Sequence, residues 1–237
     1  MWTLAIDTST SSASAALLRH TDIVVEVFLN LATNHSATLL PVVEKICHIS
    51  GVTIEEMDLF VCTLGPGSFT GIRIGMSTVK GFALATGKPV VGVSTLETLA
   101  WNLAGSRILV CPMLDARKHQ VYTALYKPDG NNTLEQQGEA MAVDINCFLQ
   151  SLDEEVIFLG DGANRYSDMI KERLPGKACF GVGLQNQIRA SMAGILGVKK
   201  VRDGEPADPV SLMPRYLRLS EAEVGMNESH QKANMKS

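Results

Sequence analysis

The chain is short of the residues that most often mark a site. Its 237 residues include only five cysteines, Cys47, Cys62, Cys111, Cys147 and Cys179. The number is odd, the spacings are wide and no C-x-x-C pair occurs, which excludes a thiolate zinc site and a disulfide framework. Cys62 and Cys111 fall in apolar runs, where cysteine behaves as a small hydrophobe, and the pattern fits a reducing compartment. Aromatic residues are only 5% of the chain. No apolar run reaches the length of about 18 residues that a membrane span needs. Ala13-Ser14-Ala15 mimics a leader cleavage site, but no positive start precedes it and Asp7 interrupts the apolar run. A cytoplasmic protein is expected. Positive charge is scarce too: Lys and Arg number 21 against 25 acidic residues, a net charge of −4. Phosphate contacts need clustered cations. The densest group, Lys199-Lys200 with Arg202, reads as a solvated helix end, so nucleic acid is not expected to bind unaided.

Phosphate-binding signatures are missing in the same way. Gly65-Pro66-Gly67-Ser68-Phe69-Thr70-Gly71-Ile72-Arg73-Ile74-Gly75 lies between an apolar strand, Leu59 to Leu64, and a helix from Ile72 to Ala85. A glycine-rich strand-to-helix turn is a usual place for phosphate contact or close backbone packing. No Gly-Lys-Ser/Thr closes it, so it is not a P-loop. Gly71 comes one position too late for G-x-G-x-x-G, and no acidic residue follows at the required distance. G-x-S-x-G is absent as well, because Ser68 precedes Phe69-Thr70, so nucleophilic catalysis has no motif to stand on. Gly71 and Gly75 share one helix face. Without side chains there, either a partner or the chain's own core can approach closely.

What is present is a good core: hydrophobic residues are 46% of the chain and charged residues 19%, ordinary values for a globular protein. Trp2 to Asp7 reads as a strand ending in a Thr/Ser-rich turn. Ala13 to Arg19 and Ile23 to Leu29 read as a hairpin through His20-Thr21-Asp22. Ser36 to Ile49 reads as a helix, with Leu39, Leu40, Val43 and Ile46 at helical spacing and Gly51 as its stop. The strand to Leu64, the glycine-rich helix ended by Gly87, a strand from Pro89 to Val93 and a helix from Thr95 to Leu103 complete a first lobe, residues 1–104. After Gly105-Ser106 the order restarts. Strands run from Ile108 to Leu114, His119 to Tyr126 and Thr133 to Ala142. Val156 to Gly160 leads through Gly160-Asp161-Gly162 into a helix from Ala163 to Leu174, and Ala190 to Gly197 is a last helix. Residues 105–220 are therefore a second lobe of similar plan. Residues 221–237, polar throughout, are expected to form a flexible tail. The order of elements implies a duplicated α/β fold.

Read together, four segments carry a resemblance. The glycine-rich G-P-G-S-F-T-G-I-R-I-G, the opening Leu4-Ala5-Ile6-Asp7-Thr8-Ser9-Thr10, the stretch Asp115-Ala116-Arg117-Lys118-His119-Gln120-Val121-Tyr122 and the closing Pro214-Arg215-Tyr216-Leu217-Arg218 resemble the bacterial TsaB (YeaZ) family. His119 and Gln120 depart from the smaller or acidic residues of that pattern. The resemblance implies a two-lobed, duplicated actin-like ATPase fold of ribonuclease-H-like type. It also implies a partner subunit, non-catalytic or weakly catalytic, that serves threonylcarbamoylation of tRNA beside a TsaD-like catalytic protein and a TsaE-like ATPase. A homodimer through the same helices, tRNA contact only through the complex, and ATP within the complex but none held tightly by this chain are its further implications. The alternatives are a self-sufficient ATP-dependent small-molecule kinase of the same fold, or a peptidase.

In actin-like ATPases an acidic residue at the first strand end holds Mg²⁺ through water. Asp7, Thr8, Ser9 and Thr10 are therefore candidate nucleotide contacts, or simply residues that satisfy turn backbone. Asp115 and Asp161, each ending an apolar strand, are candidates from the second lobe. In the catalytic sister proteins a helix carries H-x-x-x-H, which places two imidazoles on one face for a metal. Here His35 is followed at that spacing by Leu39, which cannot coordinate, so no metal is expected. Leu39, Val43 and Cys47 with His35 on one helix, and Gly71, Ile72, Gly75, Met76 and Val79 on the other, are candidates either for a partner interface or for the chain's own core.

Overall fold

The computed structural model describes residues 1–30, 34–205 and 207–218; the expected tail at 221–237 lies outside the described residues. Ten strands form two five-stranded sheets. The first comprises β1 (Trp2–Asp7), β2 (Ala13–Arg19), β3 (Asp22–Leu29), β4 (Leu59–Thr63) and β5 (Val90–Val93), in the order β3-β2-β1-β4-β5. The second comprises β6 (Leu109–Asp115), β7 (Gln120–Pro128), β8 (Leu134–Asp144), β9 (Val156–Leu159) and β10 (Ala178–Phe180), in the order β10-β9-β6-β7-β8. Read from the other edge, the second order repeats the first, strand for strand. In both sheets three antiparallel strands precede two parallel ones. The duplication inferred from element order is real at the level of topology.

Local chemistry sets the helix boundaries. Helix α1 (His35–Ser50) is capped by the Asn34 side chain, which accepts from Ser36 N–H, and ends at Gly51, with φ of 70°. Helix α2 (Phe69–Thr86) starts earlier than its apolar periodicity implies, because Ser68 caps it by accepting from Gly71 N–H. It ends at Gly87, also with φ of 70°. The helix expected over Ala163–Leu174 is two, α5 (Asp161–Arg165) and α6 (Ser167–Arg173), broken at Tyr166. Helix α4 (Ile145–Gln150) follows β8 under an Asp144 cap.

The packing corrects the lobe boundaries. Helix α3 (Thr95–Ala100), from the first half of the chain, lies on the second sheet: Leu96, Leu99 and Ala100 are buried with Val110, Leu114, Ala124, Tyr126 and Leu159. Helix α7 (Ala190–Arg202), from the second half, lies on the first sheet: Ala190, Ala193, Leu196 and Val198 are buried with Ala5, Ala16, Leu18, Val61 and Val91. Each half thus lends its last helix to the other half's sheet. Burying side chains such as Leu196 and Val198 contributes about 1.5–3 kcal/mol each, so the exchange ties the lobes together. The small residues of α7 permit it; a Cβ at Gly194 would fall 3.2 Å from the Ala5 Cβ. Glu26 on β3 holds the start of α7 by accepting from Ser191 N–H at 2.9 Å and pairing with Arg189. The closing segment also returns to the first lobe. Leu212 is buried in the core that Leu4, Ile6 and Phe60 share, and Arg215 N–H donates to the Leu64 carbonyl at 2.7 Å. A division at 104/105 is therefore a division of sequence, not of packing.

The helix faces expected to meet a partner are corrected in the same way. Leu39, Val43, Ile72 and Val79 are at most 3% exposed, and Gly71 and Gly75 are buried. Cys47 and Met76 are half-buried against the same core. A helix lying on a sheet has one apolar stripe, and that stripe faces the sheet. The outward faces carry other residues: Leu40 and Ile49 on α1, and Leu84 on α2, are 53%, 57% and 74% exposed.

Candidate functional site: the cleft between the lobes

A cavity of about 890 Å³ separates the lobes. One wall is the Ser9-Thr10-Ser11 turn after β1 with the Pro66–Thr70 turn into α2. Opposite is the β6–β7 hairpin with Asp115, Arg117, Lys118 and Tyr122, together with Asp161. Arg215, Tyr216, Leu217 and Arg218 of the closing segment complete it, and His35 stands at the rim.

Asp7 does not reach this space. It is fully buried. One carboxylate oxygen accepts from Ser9 Oγ at 2.6 Å, Ser9 N–H at 3.2 Å and Thr63 Oγ1 at 2.6 Å, while the other has no partner among the described residues. Burial pushes its carboxyl above the ordinary aspartate value against those hydrogen bonds. Thr8 is buried as well. Its hydroxyl donates to the Gly71 carbonyl at 2.7 Å and accepts from Gly75 N–H at 3.1 Å. That explains the glycines: a Cβ at Gly75 would stand 2.6 Å from Thr8 Oγ1, and one at Gly71 would run into the Thr8 carbonyl. The opening loop therefore braces the first turns of α2. Of its four candidate residues only Ser9 and Thr10 line the cleft.

Asp115 and Asp161 do meet there. Asp161 accepts from the Asp115 backbone N–H at 3.1 Å. The Asp115 carboxylate is engaged by Arg165 Nη1 at 2.9 Å, by Tyr166 OH at 3.4 Å and by Arg117 N–H at 3.0 Å. Asp161 keeps contact with solvent yet sits deep among protein atoms; desolvation raises its carboxyl, and the neighbouring Asp115 charge adds to the rise. His35 Nε2 is 2.8 Å from the Thr10 carbonyl, and Leu39, at the second position of the spacing, is turned into the core. No group of three or more potential metal ligands occurs among the described residues. That His35 contact is with a carbonyl rather than a serine hydroxyl. Burial holds the Cys62 and Cys111 thiols up to about 12, which removes them as nucleophiles.

The residues that the sequence reading missed are the cations. Arg117, Lys118, Arg215 and Arg218 all line the cleft, and among the described residues none of them enters an ion pair. Arg117, Lys118 and His119 take left-handed backbone angles, φ of 62°, 51° and 59°, so the hairpin turns tightly and carries its two cations at the tip. Arg218 and Arg215 come from a segment held by stacking: Tyr216 lies on Phe69 with ring centroids 4.4 Å apart, and Arg73 Nε donates to Tyr216 OH at 3.0 Å. These residues sit inside the stretches singled out above, but far apart in sequence they do not read as one charge cluster.

Residues 27–225 match the family model described as "TsaD: tRNA N6-adenosine threonylcarbamoyltransferase". The tRNA threonylcarbamoyladenosine biosynthesis protein TsaB of Bacillus subtilis strain 168 is 38% identical over 232 residues, covering 97% of this chain and 99% of that one. The chain belongs to the TsaB family. The YeaZ structure from Pseudomonas aeruginosa agrees, with a TM-score of 0.78 and 28% identity over 91% of this chain and 99% of that one. A more distant likeness shows the fold alone: component A of the (R)-2-hydroxyglutaryl-CoA dehydratase of Acidaminococcus fermentans, at 13% identity, has a TM-score of 0.52 over 85% of this chain and 99% of that one. The fold is the duplicated actin-like one. In this chain the glycine-rich turn borders the cleft, and the first turns of the helix it opens are anchored by Thr8. No helix among the described residues is long and apolar enough to cross a membrane.

Proposed function

We propose that this chain is a non-catalytic or weakly catalytic subunit that binds a TsaD-like catalytic protein and is required for threonylcarbamoylation of the adenosine next to the anticodon, in tRNAs reading codons that begin with A. The names of its relatives support the pathway. The observation that carries the subunit role is the state of the cleft: an actin-like body whose first-strand aspartate is buried and bonded inward, with no metal-ligand cluster among the described residues. A kinase of this fold needs that aspartate at the phosphates, and a peptidase needs an activated nucleophile.

The partner meets the outer faces of α1 and α2, where Leu40, Ile49 and Leu84 are exposed. A Cβ at Gly81 would meet nothing within 4 Å, so a second helix can lie close along α2. A second copy of this chain uses the same face in the free protein, and the TsaD-like protein displaces it. A TsaE-like ATPase and tRNA join only through the assembled complex, ATP acts within that complex rather than as a tightly held cofactor of this chain, and the setting is the cytoplasm. Titration calorimetry against the TsaD-like protein tests this, with tRNA modification as the second readout. Leu84→Glu is expected to abolish binding and modification with an unchanged thermal melt. Full binding by that variant, or phosphorylation of a small molecule by the chain alone, overturns the reading.

A further inference from the structure

The fold family implies a magnesium nucleotide in the cleft, and the residues present do not fit one. Asp7, the residue at the metal position, is fully buried and does not line the cleft; one of its oxygens accepts from Ser9 and Thr63, and the other is buried without a partner among the described residues. Asp115 is engaged by Arg165 and Tyr166, and the remaining carboxylate, Asp161, accepts from the Asp115 backbone. What the cleft holds instead is positive charge. Arg117 and Lys118 reach it from the second lobe, and Arg215 and Arg218 from the closing segment of the first. Arg215 shares its field with the nearby Glu97; Arg117, Lys118 and Arg218 have no ion-pair partner among the described residues. That concentration stands out in a chain of net charge −4. The same walls offer the Ser9–Ser11 hydroxyls and the apolar surfaces of Tyr122, Phe69 and Tyr216, and the cavity, at about 890 Å³, is large enough for a nucleotide-sized ligand.

We propose that the cleft binds a nucleotide-sized phosphate ester without a divalent metal, its charge met by Arg117 and Lys118 on one side and by Arg215 and Arg218 on the other. Guanidinium groups match phosphate oxygens in planar pairs and neutralise them directly, so no cation has to bridge ligand and protein. The ligand links the lobes, because the two sets of cations ride on different sheets. The phosphate can belong to a free nucleotide or to a single-stranded RNA segment; the chemistry of capture is the same. This site is separate from the outer helix faces assigned to the partner, so it stands or falls independently of the assembly reading.

The test is equilibrium binding of AMP and of ATP to the full chain, in excess Mg²⁺ and again in EDTA, at low and at physiological salt. Equal affinity with and without metal, weakening as salt rises, is the expected result. Arg218→Gln and Arg117→Gln should each weaken binding about tenfold, the effect of losing one charge-assisted contact, with unchanged melts. Lys171→Gln, on the exposed α6, should leave it unchanged. An unstructured RNA hexamer that competes with AMP makes RNA a source of the phosphate, and one that does not compete leaves the free nucleotide; either supports the site. Binding that EDTA abolishes, binding indifferent to both arginine changes, or no detectable binding of AMP or ATP at low salt would sink the proposal. Because no partner is present, none of these results bears on complex assembly.

Discussion

Replacing Gly71 by alanine tests the account of the glycine-rich turn most directly. The new methyl carbon would lie 3.2 Å from the Thr8 carbonyl carbon and nearer still to its oxygen. Those are backbone atoms of a loop at the end of β1, so no side-chain rotation relieves the contact. The loop or the first turn of α2 must move, and either movement strains the Thr8 hydroxyl bridge between the Gly71 carbonyl and Gly75 N–H. Overpacking of this kind costs about 1–3 kcal/mol, and a backbone clash belongs near the upper end. Alanine is the better helix former by about 1 kcal/mol. The net loss is therefore about 2 kcal/mol. In a chain of this size that lowers the thermal midpoint by about 4–8 °C. Gly81→Ala is the matched control. It lies on the same helix with nothing within 4 Å of a new Cβ, so only the propensity term acts and the midpoint should rise by a few degrees. Differential scanning calorimetry on the parent and both variants gives the answer. If Gly71→Ala melts at or above the parent, the turn is not held by packing on Thr8. A face reserved for a partner would then be the better explanation of its glycines.

Two further outcomes follow from the buried groups. Asp7 has a raised carboxyl pKa, so the stability it contributes is fully present below the unfolded aspartate value, about 3.9, and is lost as pH rises through its folded value. Asp7→Asn should therefore melt higher than the parent at pH 8, with the gap closing towards pH 4; Asp161 and Glu97, shifted the same way by burial, keep a residual slope in both proteins. A gap that does not change with pH contradicts this. Purified protein should hold no stoichiometric zinc or iron by elemental analysis, and Leu39→His should not create a site. Leu39 is 2% exposed in the core, so that change costs about 3 kcal/mol of stability, read as a lower urea midpoint; tight metal uptake by the variant would refute it.

Much of the fold was legible because it rests on local and periodic signals. The hairpin at His20, the glycine stops at Gly51 and Gly87 and the alternation of strands and helices are short-range properties of the chain. The repeated order of elements was enough to infer the duplication. The division of lobes was not legible, because a helix's apolar stripe says that it is buried and not against which sheet. Leu96 and Leu196 are equally apolar, and only the folded chain shows that each crosses to the opposite half. The same limit applied to α1 and α2, whose apolar faces read equally well as core or as interface until the sheet was seen beneath them.

The site divided along the same line. Sequence alone established which segments matter, since the Asp7 turn, the glycine-rich turn, the Asp115–Tyr122 hairpin and the Pro214–Arg218 close all border one cleft or brace its wall. It also established that Leu39 cannot complete a metal pair, because coordination chemistry is a property of the residue itself. Tertiary structure decided what each segment does. Asp7 and Thr8 turn inward because the end of β1 is buried beneath α2, where their polar atoms must find partners within the protein. Arg117, Lys118, Arg215 and Arg218 become a cluster only when the closing segment returns across the first lobe, since electrostatic potential depends on distance in space and not on separation along the chain.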